Sequence, residues 1–191
     1  MPRHKSIDDD LLLDRLTEVF QTYGYEGASL GRISEATGLQ RASLYHRFPG
    51  GKVAMAEAVL DRSASKVIDD VVAPLRGSGN RHDRLAAMAR EIDDFYTGGQ
   101  MSCLLDSMSF AGSDDSLRQR TEGAMVAWAD AIEALARDAG LEPRIAKERA
   151  VDALISVQGS LVYARVTGDA EPFRRHLDSM PDAVLGARRD A

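Results

Sequence analysis

Along most of the chain, apolar residues recur three or four positions apart, the repeat of helices that bury one face. Ser6 stands as an N-cap before Asp8, Asp9 and Asp10, whose charge suits a helix's first turn. Leu12, Leu16, Val19, Phe20 and Tyr23 follow at helical spacing until Gly24. Residues 25–28 read as a linker, and Ser29 caps a short helix over 30–37 with Leu30, Ile33 and Ala36 or Thr37 inward. Gly38-Leu39 breaks it. A third short helix is predicted over 40–48, with Leu44 and Phe48 inward one turn apart. Past Pro49-Gly50-Gly51, a long helix is predicted from Lys52 to Val72, ended by Pro74 and Gly77. Further helices are predicted over 81–96, 103–110, 114–139, 143–166 and 171–185, separated by glycines and polar breaks. No stretch alternates as a strand does, so the expected fold class is all-α, with nine helices.

Composition changes this picture little. Of 191 residues, 44% are hydrophobic and 28% charged, which excludes disordered, collagen-like and membrane-spanning classes. The single cysteine, Cys103, cannot form an internal disulfide, which suits a reducing compartment. Asp8-Asp9-Asp10 falls where a signal peptide needs apolar residues, so a cytoplasmic location is expected. Charge is more informative. The net charge of -6 argues against nucleic-acid binding when averaged over the chain. Yet residues 30–52 hold Arg32, Arg41, Arg47 and Lys52 against Glu35 alone, a local +3. Residues 1–62 hold 8 basic and 9 acidic side chains, so most of the acid lies beyond them.

The basic stretch coincides with the two short helices around Gly38. This is the layout of a helix-turn-helix unit, whose second helix lies in the major groove. Gly38 supplies the positive φ of the turn. Ile33, Leu44 and Phe48 form a small core, leaving Gln40, Arg41, Ser43, Tyr45, His46 and Arg47 outward. Gln and Arg can bond base edges in pairs, and Ser and Tyr reach phosphates. A generic helical hairpin with a solvated histidine and a half-buried tyrosine fits the same pattern, so the residues alone leave both readings open.

The ordered string decides between them. Gly24-Tyr25-Glu26-Gly27-Ala28-Ser29-Leu30, Ile33, Ala36-Thr37-Gly38-Leu39, Ser43-Leu44-Tyr45-His46-Arg47-Phe48 and Lys52 resemble the N-terminal domain of TetR-family transcriptional regulators, from roughly Leu11 to Leu60. The resemblance implies a three-helix helix-turn-helix DNA-binding domain over 1–52, with a long connecting helix from about 52. It implies a helical ligand-binding and dimerisation domain over 53–191. It places Gln40, Arg41, Ala42 and Ser43 against bases, Tyr45 on a phosphate, His46 on DNA, and Lys52 on a phosphate at its helix start. Ser29 and Arg32 complete this DNA-facing set, with Arg3 and Lys5 as a basic arm. Two departures stand out. The Phe48–Lys52 spacing is one residue longer than the commoner family spacing, and this Pro-Gly-Gly-Lys resembles an LmrA/YxaF-like branch. Gly31 replaces the longer polar residue many relatives carry.

In the remainder, the helix from Ala150 to Arg165 is apolar on two sides, so two faces must be buried. Val151, Leu154, Ile155, Gln158, Leu161 and Val162, with Phe173, Leu177 and Met180 on the last helix, are the candidate homodimer interface. A central helix in a monomer is the other solution. Large adaptable side chains are the candidate effector pocket: Met88, Ile92, Phe95, Tyr96, Cys103, Leu104, Met108, Phe110, Met125, Trp128 and Tyr163. Each of them also fits a plain core position. Residues 96–105 resemble a Gly-Gly-Cys-Leu segment of the same branch, with Gln100, Met101 and Ser102 inserted.

His4, His46, His82 and His176 lie far apart, and one cysteine cannot build a thiolate zinc site, so no metal, cofactor or catalysis is expected. The expected protein is a homodimeric repressor that binds palindromic double-stranded DNA, is released by a small, largely apolar effector, and has no membrane partner. A helical carrier of small molecules without DNA function, or a protein-interaction module, is the alternative.

Overall fold

The computed structural model describes residues 7–108 and 115–187. Among them the regular structure is helical: α1 (Asp9–Gly27), α2 (Leu30–Thr37), α3 (Arg41–Arg47), α4 (Gly51–Lys66), α5 (Arg81–Phe95), α6 (Leu104–Met108), α7 (Asp115–Asp138), α8 (Pro143–Thr167) and α9 (Glu171–Leu185). Most ends fall within a residue or two of the expected ones. α1 is the exception at its end, because the helix kinks at Gly24 (φ 64°, ψ 177°) and resumes as far as Gly27. The helix expected to reach Val72 is also divided. α4 ends at Lys66, and a π-helical turn, Val67–Val71, continues it, closed by the Val72 N–H on the Val67 carbonyl at 2.8 Å. A 3₁₀ turn, Ala73–Arg76, follows.

Packing divides the chain into two compact units, and not at residue 52. The first comprises the described parts of Met1–Ser63 and Leu104–Glu122. Its core is Leu12, Leu16, Val19 and Phe20 of α1, Ile33, Leu44, and Met55, Ala56, Val59 and Leu60 of α4. α4 stays with this unit because Arg62 clasps α1, with Nη2 2.9 Å from the Asp14 carboxylate and Nη1 donating to the Asp10 carbonyl at 2.7 Å. α6 returns to α1 and buries Leu104, Leu105 and Met108. The first turns of α7 meet α4: Ser116 donates to Glu57 at 2.7 Å, and Arg120 pairs with Asp61.

The second unit comprises Ala64–Cys103 and the described part of Gly123–Ala191. α9 lies along both α5 and α8. Phe173, Leu177, Met180, Pro181 and Val184 of α9 are buried, as are the small Ala146, Ala150, Ala153 and Ala164 of α8. Each fully buried Leu or Phe here contributes roughly 1.5–3 kcal/mol by removal from water.

Candidate nucleic-acid interface

The turn between α2 and α3 is pinned by its own side chains. Gly38 adopts the left-handed conformation (φ 70°, ψ 8°), and its N–H bonds the Ser34 carbonyl at 2.9 Å. Thr37 Oγ1 donates to the Ile33 carbonyl at 2.7 Å and accepts from the Leu39 N–H at 3.3 Å. The Ser34 hydroxyl donates to the Leu39 carbonyl. Ala28, Ile33 and Leu44 are fully buried beneath, which fixes α3 against α2. Gln40, Arg41, Ala42, Ser43, Tyr45 and His46 are left exposed. The surface combines amide, guanidinium, hydroxyl and imidazole groups on one short helix, the mixture that reads base edges and phosphates. Tyr45 lies against Gly51, where an added Cβ would come within 3.3 Å of the tyrosine ring.

The other cations of this stretch bond within the chain. Arg47 donates to the Asp9 carboxylate at 2.7 Å and to the Ile7 carbonyl at 2.9 Å, fastening the end of α3 to the start of α1. It is therefore not part of the outward set. Arg32 donates to the Gly27 carbonyl at 2.7 Å and stands 4.2 Å over the Tyr23 ring. Lys52 Nζ donates to the Tyr25 carbonyl at 2.9 Å and lies 4.2 Å from the centre of its ring. Ser29 is the N-cap of α2, its Oγ accepting from the Arg32 N–H at 3.3 Å. Arg3 and Lys5 lie outside the described residues. The acids that engage Arg47 and Arg62 were visible in the sequence only as helix-start charge. Pairing across 38 residues leaves no local signal.

Two family models match the chain. Residues 12–59 match the bacterial regulatory proteins of the tetR family, and residues 81–178 match the C-terminal domain of LmrA/YxaF-like transcriptional regulators. The chain belongs to the TetR family. It is 22% identical to the transcriptional regulator LmrA of Bacillus subtilis, over 91% of this chain and 94% of that protein. It is 42% identical to the transcriptional repressor ComR of Escherichia coli over 31% of this chain and 28% of that one. A TetR regulator of Legionella pneumophila superposes with a TM-score of 0.82 at 17% identity, covering 93% of this chain and 97% of the other. CifR, a TetR-family regulator solved as a cysteine mutant complexed with a 26 bp double-strand operator, superposes at 0.75 with 23% identity, covering 95% and 98%.

As a TetR-family member the chain is a transcriptional regulator that binds operator DNA, and the reading as a carrier without DNA function falls away. Among the described residues no helix is long and apolar enough to cross a membrane.

The family's second unit holds most of the candidate pocket. Met88, Ile92, Tyr96, Cys103 and Trp128 are buried there, and Phe95 and Met125 half-buried. The Tyr96 hydroxyl donates to Cys103 Sγ at 3.3 Å, and Gln158 Nε2 approaches the same sulfur at 3.4 Å. Burial, with Cys103 beside it, holds the Tyr96 phenol well above its ordinary pKa, so it stays a donor. Three candidates belong elsewhere. Tyr163 faces outward on α8, beside the exposed Val162. Leu104 and Met108 pack with the first unit. Phe110 lies outside the described residues. A surface cleft of about 520 Å³, lined by Gly99, Gln100, Arg165 and Arg174 among others, uses none of the candidate residues.

The dimer candidates divide in the same way. Val151, Ile155 and Val162 are exposed and, with Val166, form one apolar stripe along α8. Leu154, Leu161, Phe173, Leu177 and Met180 are buried inside the chain's own second unit, and Gln158 turns toward Cys103. Those five buried positions are interior because α8 and α9 pack against each other and α9 packs on α5, and Gln158 is half-buried.

Proposed function

We propose that the protein is a homodimeric repressor released from palindromic operator DNA by a small, largely apolar effector. The exposed set on α3 carries the reading: Gln40, Arg41, Ala42, Ser43, Tyr45 and His46 stand on a helix whose turn is pinned and whose inner face is buried. Two such helices about one helical turn apart would read successive major grooves, and the similar CifR, solved with a 26 bp double-strand operator, supports binding to duplex DNA. Arg3 and Lys5 act as a basic arm on the backbone or in the minor groove.

The α8 stripe of Val151, Ile155, Val162 and Val166 supports the dimer, since an exposed apolar row at helical spacing matches an isologous helix-on-helix contact. The buried side chains of the second unit form the effector site. Trp128 supports this, because among the described residues its fully buried indole N–H has no acceptor, which is costly unless a bound molecule supplies one. Release then follows from the effector's higher affinity for the state whose recognition helices no longer match the half-sites.

The test is a mobility shift on the intergenic DNA beside the gene, at two salt concentrations with random duplex as competitor. Retardation that survives the competitor is the expected result. Binding no tighter than to the random duplex, there and in a pool selected from random DNA, defeats the reading.

A further inference from the structure

We propose that Arg120 is a positioning residue through which α7 passes the state of the second unit to α4 and the recognition helix, a role that rests on the effector site proposed for that unit. α7 is one helix, Asp115–Asp138, yet its residues up to Glu122 pack with the first unit and those from Gly123 with the second. Its first turns meet α4 in register. Ser116 and Arg120, one turn apart on α7, meet Glu57 and Asp61, one turn apart on α4. Ser116 Oγ donates to Glu57 Oε1 at 2.7 Å, Arg120 Nε stands 3.6 Å from the same oxygen, and Arg120 Nη1 donates to Asp61. Arg118 is the contrast, since it pairs with Asp115 and Glu122 of its own helix.

Two carboxylates one turn apart on a helix repel each other. Arg120 offsets that repulsion, so the charge balance of α4 depends on where α7 places the guanidinium. The first residue of α4, Gly51, in turn seats the Tyr45 ring of α3. A displacement of α7 at Arg120 therefore reaches the exposed set of α3 through a single helix. Further along α7, about two turns beyond Arg120, Trp128 is fully buried in the second unit. Rigid helices and ion-pair networks are the elements that carry coupling between distant sites. Stability alone gives this network little purpose. The Arg120 and Asp61 side chains are 38% and 57% exposed, and ion pairs so open to water hold a fold weakly.

Coupling is reciprocal. If an effector in the second unit weakens DNA binding, bound DNA weakens effector binding by the same factor, so DNA alone must alter that unit. Trp128 is the chain's single tryptophan, and its emission and its quenching by acrylamide report on α7 without any effector. The probe is the intergenic duplex of the mobility shift, or the duplex selected from the random pool, with the anisotropy of a fluorescein-labelled copy marking saturation. Saturating wild type is expected to shift Trp128 emission and change its quenching. Arg120→Met keeps the stem and removes the charge. It is expected to bind the duplex within about fivefold of wild type, to melt within about 4 °C of it, and to lose most of the Trp128 response. Arg120→Asp combined with Asp61→Arg exchanges the two charges and is expected to restore the response. Wild type that binds the duplex with Trp128 unchanged overturns the proposal, and so does a full response in Arg120→Met. A lost response that the exchanged pair does not restore overturns the assignment to Arg120. Duplex held no better than the random competitor is a different failure, which defeats the repressor reading and this inference with it.

Discussion

Two glycines of the DNA-binding unit share a positive φ and differ in what surrounds them. Gly38 (φ +70°) has nothing within 4 Å of an added Cβ, whereas at Gly51 (φ +66°) that Cβ would stand 3.3 Å from the Tyr45 ring. Left-handed backbone costs a side chain roughly 1–2 kcal/mol at either site. For a chain of this size each kcal/mol lowers the melting temperature by about 2–4 °C. Gly38→Ala is therefore expected to lose a few degrees while holding DNA as wild type does. Gly51→Ala is expected to lose as much stability and also weaken duplex binding, because Tyr45 must move. Differential scanning calorimetry and a binding titration on the two proteins check this. Equal affinities would mean that the seat of the Tyr45 ring is unimportant.

Helix periodicity made each element legible, but not what covers each face. Gly38, Ile33 and Leu44 announced the helix-turn-helix because a turn glycine and a local apolar pair are short-range signals. Phe173, Leu177 and Met180 were equally legible as one face of α9. Periodicity could not say that α5 and α8 of the same chain cover them, since that depends on contacts distant in sequence. The bonds of Arg32, Arg47 and Lys52 within the chain were not legible for the same reason: an arginine bonded to a backbone carbonyl and one facing solvent look alike in a sequence. α9 also carries His176, whose Nε2 is buried without a partner among the described residues. Burial lowers its pKa from the ordinary 6.5, and the bond to the Ala153 backbone opposes this only in part. Below that ordinary value the unfolded chain takes up a proton that the folded chain resists, so this group's contribution to stability falls as the pH drops. The melting temperature of wild type is expected to fall more steeply than that of His176→Gln from about pH 7.5 to about pH 5.5, around the ordinary imidazole range. Parallel curves would show that α9 opens to solvent at this position.

For the molecule as a whole, the two sides of α8 make different predictions. The inner side carries Ala150, Leu154, Val157 and Leu161 and holds the second unit together. The outer side leaves Ile155 63% exposed and Val166 80% exposed, a large apolar cost in water for a chain that is otherwise strongly charged. In the proposed dimer a second copy would remove that cost symmetrically, since α8 of each protomer would supply the same stripe. Ile155→Glu places a like charge opposite itself across the two-fold axis, so it is expected to sediment as a monomer with an unchanged melting profile in dilute solution. Its operator affinity should fall toward that of a single half-site. Leu177→Ala is the contrasting change. It lies inside the unit, so it should cost about 2–5 kcal/mol of stability and leave the sedimentation coefficient as it is. The pair separates the interface from the core: a dimeric Ile155→Glu moves the contact off α8, and a monomeric Leu177→Ala would place Leu177 of α9 in the interface.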